Sequence, residues 1–148
     1  MAVSESGSTP AGPVIEVAAG LVFRGGRLLI TQRPAGGHLA GLWEFPGGKK
    51  EPAESYPDCL RRELDEELGI EVEVRELIDS ITHAYPEKRV HLRFYRCCWT
   101  RRDPRPLGCA AFAWVELAEL GRYEFPAADA RLLEKLADLP ELWDPGAV

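Results

Sequence analysis

The 148-residue sequence is poor in histidine, cysteine and methionine, with three, four and one copies respectively. Cys59, Cys97, Cys98 and Cys109 form no C-x-x-C pair and show none of the cysteine and histidine spacings typical of zinc sites. Adjacent Cys97 and Cys98 point to opposite faces if they lie on a strand, which argues against a bridge between them. We therefore expect reduced cysteines that serve as packing residues.

Long apolar runs are also absent, and none approaches the length that spans a bilayer. The first 12 residues lack the charged start and the apolar stretch of a secretory signal. Basic residues are outnumbered, with 18 Lys and Arg against 24 Asp and Glu, for a net charge of −6. Such a surface should not attract nucleic-acid polymers, although a metal ion with local arginine or lysine can still neutralise a nucleotide's phosphates. We expect a cytoplasmic protein without membrane or nucleic-acid partners, and the oligomeric state stays open.

The length and the composition indicate one globular domain. Hydrophobic residues make up 45% of the chain, which is ordinary for a protein with a sizeable core. Residues 1–12 are rich in Ser, Gly, Ala and Pro and are predicted to be a disordered leader. We expect a single domain over residues 13–139 and a C-terminal tail over residues 140–148.

The strongest local signal predicts a helix over residues 57–68. Ser55 can cap its N-terminus, Asp58 follows three residues later, and Pro57 is tolerated in the first turn. Gly69 supplies the left-handed residue that ends many helices. Both ends of this helix are therefore marked in the sequence.

Three carboxylates share one face of this predicted helix. Glu63, Glu66 and Glu67 are related by three and four residues, so they repel one another unless a cation lies among them. Oxygen ligands of this kind suit Mg²⁺ or Mn²⁺. The alternative is an ordinary solvated face on which Arg61 and Arg62 form salt bridges.

The remaining pattern predicts a mixed sheet with two helices. Alternating or β-branched stretches indicate strands, and a second helix is expected to end before Pro140. The predicted strands cover residues 14–23, 28–32, 71–74, 77–83, 89–100 and 110–115, and the second helix covers residues 127–139. The fold class is α/β, with the sheet flanked by both helices in an α/β/α sandwich.

The segment 48–70 resembles the signature of the Nudix hydrolase family, G-x5-E-x7-R-E-U-x-E-E-x-G-U, where U is aliphatic. Every fixed position is met, by Gly48, Glu54, Arg62, Glu63, Leu64, Glu66, Glu67, Gly69 and Ile70. The sequence GLWEFPGG at 41–48 and YEFPAAD at 123–129 resemble the MutT-type branch, whose members hydrolyse nucleoside triphosphates. The resemblance covers roughly residues 14–138 and implies the same sandwich fold.

The resemblance also implies which residues act. Glu66, Glu67 and the carbonyl of Gly47 would be metal ligands, with Mg²⁺ as the cofactor and Mn²⁺ as an alternative. Glu63 would bind metal or deprotonate the attacking water, while Arg62 would pair with Glu54 and hold the preceding loop against the helix. The nucleoside pocket would be lined by Arg33, Phe45, Lys88 and Asp129.

Two positions depart from the branch. Its members generally carry an acid six residues before the late Trp, where this chain has Gly108. Asp129 stands where sanitisers of oxidised guanine nucleotides usually have Asn, and an ionised Asp only accepts hydrogen bonds. Asp129 could instead cap the last helix. Phe45 could equally be a core aromatic, and His83 and His91 could face either the core or the pocket.

Three functions remain open from the sequence. The first is Mg²⁺-dependent hydrolysis of a nucleoside triphosphate to the monophosphate and pyrophosphate, with nucleotide-pool sanitisation such as 8-oxo-dGTP removal as its use. The second is the same reaction on CTP or a modified dCTP, whose hydrolases also carry an Asp in the closing motif. The third is a catalytically silent module with the Nudix fold that recognises a base or binds a partner.

Overall fold

The computed structural model describes residues 13–37 and 39–146. The predicted leader, residues 1–12, lies outside the described residues. Among the helices that the structure describes, none is long and apolar enough to cross a membrane. The four cysteines are free thiols, as predicted, and three of them are buried.

A mixed seven-stranded sheet forms the centre of the described chain. The strands are β1 Val14–Arg24, β2 Arg27–Gln32, β3 Trp43–Glu44, β4 Gly47–Lys49, β5 Glu71–Tyr85, β6 Lys88–Arg101 and β7 Ala111–Val115. Their order is β3-β2-β1-β6-β5, with β4 pairing to β1 and β7 to β2. The parallel pairing of β1 with β6 joins the two halves of the sheet, and β5 pairs antiparallel with β6 at one edge.

Helix α1, Tyr56–Leu68, has the caps that the sequence predicts. The Ser55 hydroxyl accepts a hydrogen bond from the backbone N–H of Asp58 at 3.1 Å. Gly69 ends the helix with φ of 69°, a left-handed conformation that suits a residue without Cβ. The predicted helix therefore differs from the observed one only by the inclusion of Tyr56.

The second predicted helix is divided in the structure. A 3-10 turn, Ala127–Asp129, precedes α2, Ala130–Ala137, and another 3-10 turn, Pro140–Trp143, follows. Pro126 stands before the first turn, and Pro140 cannot donate a backbone hydrogen bond to continue α2. The predicted helix over residues 127–139 was correctly located, but its α-helical part is shorter and covers only Ala130–Ala137.

The two helices cover opposite faces of the sheet and create two cores. Leu60 and Leu64 of α1 are fully buried in one core, while Leu132 and Leu136 of α2 are fully buried in the other. Helices that bury one apolar stripe against each face of a sheet produce the three-layer sandwich. The predicted α/β/α architecture is confirmed.

Strand β5 is continuous where the sequence pattern predicted two strands. Irregular pairing occurs between Val74 and Leu77 and again between Leu77 and Asp79, so the strand bends without ending. Asp79 at this bend forms an ion pair with Arg131 of α2 at 3.0 Å, and Lys135 donates to the Ile78 carbonyl at 2.6 Å. These contacts fix α2 to the edge of the sheet.

The segment that begins at residue 140 also contacts the second core. Leu142 is buried there, and the Trp143 ring meets Phe23 edge to face, with 5.2 Å between centroids. Trp143 Nε1 donates to the Leu136 carbonyl at 3.1 Å. The domain boundary at residue 139 stays a prediction, although these residues pack on the described fold.

We expect Leu64→Ala to lower the free energy of unfolding by roughly 2–5 kcal/mol, because it removes a fully buried side chain and leaves a cavity. Leu77→Ala is the matched control, since Leu77 is 46% exposed. Urea denaturation followed by far-UV circular dichroism measures both. Equal losses in the two variants would contradict the packing of α1 described above.

Candidate active site

A pocket of about 410 Å³ lies beside the C-terminal half of α1. Its wall combines glycine backbone with aromatic, acidic and basic side chains. The residues that line it include Ala19, Arg33, Glu44, Phe45, Gly47, Gly48, Lys49, Glu67, His83, Tyr85, Lys88, Gly108 and Asp129. Glycine backbone, one buried carboxylate and an aromatic end are features of a site for a small charged ligand.

Strand β4 places two glycines where no side chain fits. A Cβ on Gly47 would overlap the Ala18 carbonyl oxygen, and a Cβ on Gly48 would overlap the carboxyl group of Glu63. Both clashes arise because β4 pairs closely with β1 and α1 crosses directly over it. The two glycines therefore let α1 approach the sheet, where Glu67 reaches the pocket.

Glu67 is the carboxylate of α1 that faces this pocket. Its Oε1 atom is buried and has no hydrogen-bond partner among the described residues. The pKa of Glu67 is raised to about 8, mainly by burial and in part by the charges of Glu44 and Glu63, while a hydrogen bond to the Gly47 backbone opposes the rise. A buried carboxylate among other acids is costly unless a cation offsets the charge. These properties fit a divalent metal ligand.

Arg62 connects the loop before α1 to the helix itself. Its Nε and Nη2 atoms donate to the two carboxylate oxygens of Glu54, at 3.0 and 2.6 Å. It also donates to the Lys49 carbonyl at 3.1 Å and to Glu63 and Glu66 at 3.1 and 3.3 Å. Hydrogen bonds from Arg62 lower the pKa of Glu54 to about 2. The expected ion pair between Arg62 and Glu54 is therefore present, in bidentate form.

Glu63 and Glu66 lie outside the pocket wall. The side chain of Glu63 is 21% exposed and that of Glu66 is 60% exposed, and both carboxylates accept hydrogen bonds from Arg62. Burial is the main cause that raises the pKa of Glu63. Within residues 13–37 and 39–146, no three His, Cys, Asp or Glu side chains converge closely enough to hold a metal ion. The structure brings Gly47 and Glu67 together in the pocket wall, whereas Glu63 and Glu66 are paired with Arg62.

All four residues predicted for the nucleoside end do line the pocket. Phe45 is only 5% exposed and stacks on Phe125 with 5.2 Å between centroids, so it is both a core aromatic and a wall residue. Arg33 Nη1 donates to Glu44 at 2.7 Å. The Lys88 ammonium lies 5.8 Å from the centre of the Tyr85 ring.

Asp129 occupies the N-cap position of α2, but its side chain makes no capping hydrogen bond to the helix. The carboxyl group instead faces the pocket. Burial, followed by the charge of Glu44, raises the pKa of Asp129 to about 6. The interpretation of Asp129 as a simple cap is therefore not supported by the geometry.

Sequence reasoning missed Glu44 as a pocket residue. Glu44 pairs with Arg33, its own pKa is raised by burial, and its charge acts on both Glu67 and Asp129. One signal was available, since Glu44 is an acid inside the apolar run that leads to Gly47. His83, left open by the sequence, lines the pocket with its ring 4.6 Å from that of Tyr85.

Comparisons with known proteins identify the family of the chain. A family model described as NUDIX domain matches residues 18–135. The chain is 40% identical over 121 residues to the CTP pyrophosphohydrolase of Escherichia coli strain K12, covering 82% of this chain and 90% of that protein. It is 37% identical over 125 residues to the 8-oxo-dGTP diphosphatase of Haemophilus influenzae, with coverages of 83% and 91%. A crystal structure titled MutT protein from Methanosarcina mazei superposes with a TM-score of 0.77 at 26% identity, covering 86% of this chain and 95% of the other.

We expect Asp129→Asn to change how stability depends on pH. The folded state holds the Asp129 proton up to about pH 6, whereas the unfolded chain releases it near the ordinary value of 3.8. Because the folded state binds more protons in this window, the free energy of unfolding should fall as pH rises from about 4 to about 6.

Asn does not titrate, so the variant should lose this decline and gain on the order of 1 kcal/mol over the original protein above pH 6, after allowing for solvent screening. Denaturation midpoints between pH 4 and 8 measure the effect. Asp138→Asn, at the exposed opposite end of α2, is the control. Parallel pH profiles for the original protein and Asp129→Asn would contradict the assignment.

Proposed function

The chain belongs to the Nudix family and is a Nudix pyrophosphohydrolase, and we propose that it cleaves nucleoside triphosphates to the monophosphate and pyrophosphate with Mg²⁺. The observation that carries the proposal is the Glu67 carboxylate, whose Oε1 atom is buried without a hydrogen-bond partner beside a pocket that aromatic and acidic side chains also line. A nucleotide offers both a polyanion for one end and a ring for the other. Mn²⁺ is the alternative ion, because the same oxygen ligands suit it.

The proposed ligands are Glu63, Glu66, Glu67 and the carbonyl of Gly47. Glu67 has the unpartnered buried oxygen that favours this role. Glu63 and Glu66 accept hydrogen bonds from Arg62, so joining a ligand set means weakening those bonds. When bound, a divalent ion supplies charge neutralisation for the phosphates and lowers the pKa of water.

The residues of the chain supply positioning and proton transfer. Arg62 and Glu54 hold the loop before α1 in place through their bidentate pair. Glu63, whose pKa is raised by burial, is the proposed base that takes the proton from the attacking water. Water adds to the α- or the β-phosphorus atom, and the bond between that atom and the oxygen that bridges α and β breaks. The products are the nucleoside monophosphate and pyrophosphate.

The acidic end of the pocket bears on the choice of base. Asp129 and Glu44 present carboxyl oxygens, which suit a base that offers an amino group. Guanine and cytosine both carry one, and we propose sanitisation of the nucleotide pool, such as removal of 8-oxo-dGTP, as the leading use. This role in protecting DNA would be exercised in the cytoplasm.

The second candidate is hydrolysis of CTP or a modified dCTP. Asp129 favours it, because a carboxylate accepts from the cytosine amino group and Asp129 makes no capping bond. Similarity to a protein named CTP pyrophosphohydrolase is consistent with this candidate. Pyrophosphate release from a panel of ordinary and oxidised nucleoside triphosphates distinguishes the two. A silent module is disfavoured by the complete set of Arg62, Glu63, Glu66 and Glu67.

We expect Glu67→Gln and Glu63→Gln each to lower kcat by about 100-fold or more, because each removes a charge from the proposed ligand or base set. Both changes keep the side-chain shape. The measurement is pyrophosphate release at saturating Mg²⁺, with circular dichroism to show that the fold is retained.

Glu134→Gln, on the exposed face of α2, is the matched control and should keep the original rate. Retention of the full rate by both active-site variants would remove these residues from the mechanism.

We expect Asp129→Asn to shift the ratio of kcat/KM values for 8-oxo-dGTP and CTP. The amide offers one donor where the carboxylate has only acceptors, and a mismatched pair in a dry pocket costs several-fold or more in rate. Steady-state kinetics on the two substrates measure the ratio. A constant ratio would show that Asp129 does not select the base, even if both rates fall.

A further inference from the structure

The last carbonyl groups of α1 are bonded by a distant part of the chain, residues 102–108, which we call the 102–108 segment. The Glu67 carbonyl accepts from the backbone N–H groups of Leu107 and Gly108, at 3.1 and 3.0 Å. The Leu68 carbonyl accepts from the Arg105 N–H at 2.8 Å. A helix leaves its final carbonyls without internal partners, so this segment completes the C-terminal end of α1.

Arg102 connects the segment to the end of the helix. Its Nε donates to the Gly69 carbonyl at 3.0 Å, and its Nη2 donates to the Asp65 carboxylate at 3.1 Å. No residue of the last turn of α1 is basic, so Arg102 supplies the positive charge that favours the negative end of the helix.

The backbone of Arg102 is itself unusual. Its φ is 67°, a left-handed conformation that a side chain with Cβ rarely adopts. The indole N–H of Trp99 donates to the Arg102 carbonyl at 2.7 Å and helps to hold this conformation. A strained residue persists where its contacts determine its conformation, and here those contacts lead to α1.

The segment is also fixed to the sheet. The Arg24 guanidinium lies over the Trp99 ring at 3.6 Å and bonds Asp103 at 3.0 Å. Pro104 is buried. The segment is therefore held between the sheet and α1, and its contacts link the position of α1 to that of the sheet.

Gly108 brings this segment to the pocket. A Cβ at Gly108 would lie 3.3 Å from Glu67 Cγ and 3.4 Å from Glu67 Cα, which is tight contact. The absence of a side chain lets the backbone N–H approach the Glu67 carbonyl closely. Gly108 stands at the position where the sequence resemblance to the MutT-type branch leads one to expect an acid, and its backbone contacts Glu67 instead.

We propose that Arg102 is a positioning residue for Glu67. By fixing the 102–108 segment against the last turn of α1, it holds the Glu67 backbone and thereby limits the directions in which the buried carboxylate can point. This inference rests on the proposed function, which makes Glu67 a metal ligand. The nucleoside end is built by other elements, β3 and the turn before α2, so substrate affinity should not depend on Arg102.

The test compares Arg102→Gly, Arg102→Ala and the control Arg101→Ala. Gly accepts the left-handed backbone, so Arg102→Gly removes the guanidinium without adding strain. Arg101 is the neighbouring exposed arginine, and its ion pair, at 3.9 Å, is with Glu71 of β5 rather than with a residue of α1. Circular dichroism and thermal denaturation first establish that each variant folds.

Three readouts follow. Hydrogen exchange without metal should show faster exchange at the amides of Arg105, Leu107 and Gly108 in both Arg102 variants. Calorimetric titration with Mn²⁺ alone should show affinity weakened about tenfold or more, a typical loss when support for a metal ligand is removed. With nucleotide, kcat should fall at subsaturating Mg²⁺ while the nucleotide KM stays within about twofold. Arg101→Ala should match the original protein throughout.

Unchanged Mn²⁺ affinity and unchanged amide exchange in Arg102→Gly would overturn the inference, as would equal losses in Arg101→Ala. A lower melting temperature with original Mn²⁺ affinity would also overturn it, since Arg102 would then be structural only. If the original protein binds Mn²⁺ but hydrolyses none of the nucleotides tested, the proposed function fails. The exchange and titration results would still decide the role of Arg102.

Discussion

The bidentate bond between Arg62 and Glu54 is the interaction on which the site depends. One guanidinium joins the loop that carries Glu54, the carbonyl of Lys49 at the end of β4, and the helical acids Glu63 and Glu66. Without this guanidinium, the like charges of Glu54, Glu63 and Glu66 would repel one another. A planar donor with five N–H groups can bond several acids at once, which a lysine cannot do. The same bonds keep Glu63 and Glu66 away from the pocket wall, so the ion pair both supports the site and restrains it.

Like charge concentrated at one pocket is the second constraint. Burial raises the pKa of Glu44, Glu67 and Asp129, and the Glu44 charge acts on the other two. A folded chain accepts this cost where a ligand later offsets it, and perturbed acids in a cleft are typical of functional sites. Arg33 offsets part of the charge through its bond to Glu44. This charge distribution is consistent with the proposed cation beside Glu67 and the proposed donor-bearing base beside Asp129.

The fold supplies rigid attachment at both ends of the site. The Gly47 and Gly48 backbone permits α1 to lie close to the sheet, and the 102–108 segment completes the C-terminal turn of α1. On the opposite side, the pairing of Asp79 with Arg131 fixes α2, which directly follows Asp129. The contacts that hold the two ends are separate, although the charge of Glu44 acts on both Glu67 and Asp129.

The family, the sandwich class and helix α1 with its caps could all be predicted from the sequence, because the signals for them lie in local spacing and periodicity. Ser55, Gly69 and the three-and-four-residue spacing of the acids act within one or two helical turns. They can therefore be recognised without knowing which distant residues pack against the helix. The sequence also indicated the bond between Arg62 and Glu54. The folded structure was needed to show that Glu67 lines the pocket with a buried oxygen atom while Glu66 is exposed, that Glu44 joins the site, and that Arg102 bonds the end of α1. Burial and contacts between distant segments depend on how the layers meet, and no local pattern encodes that.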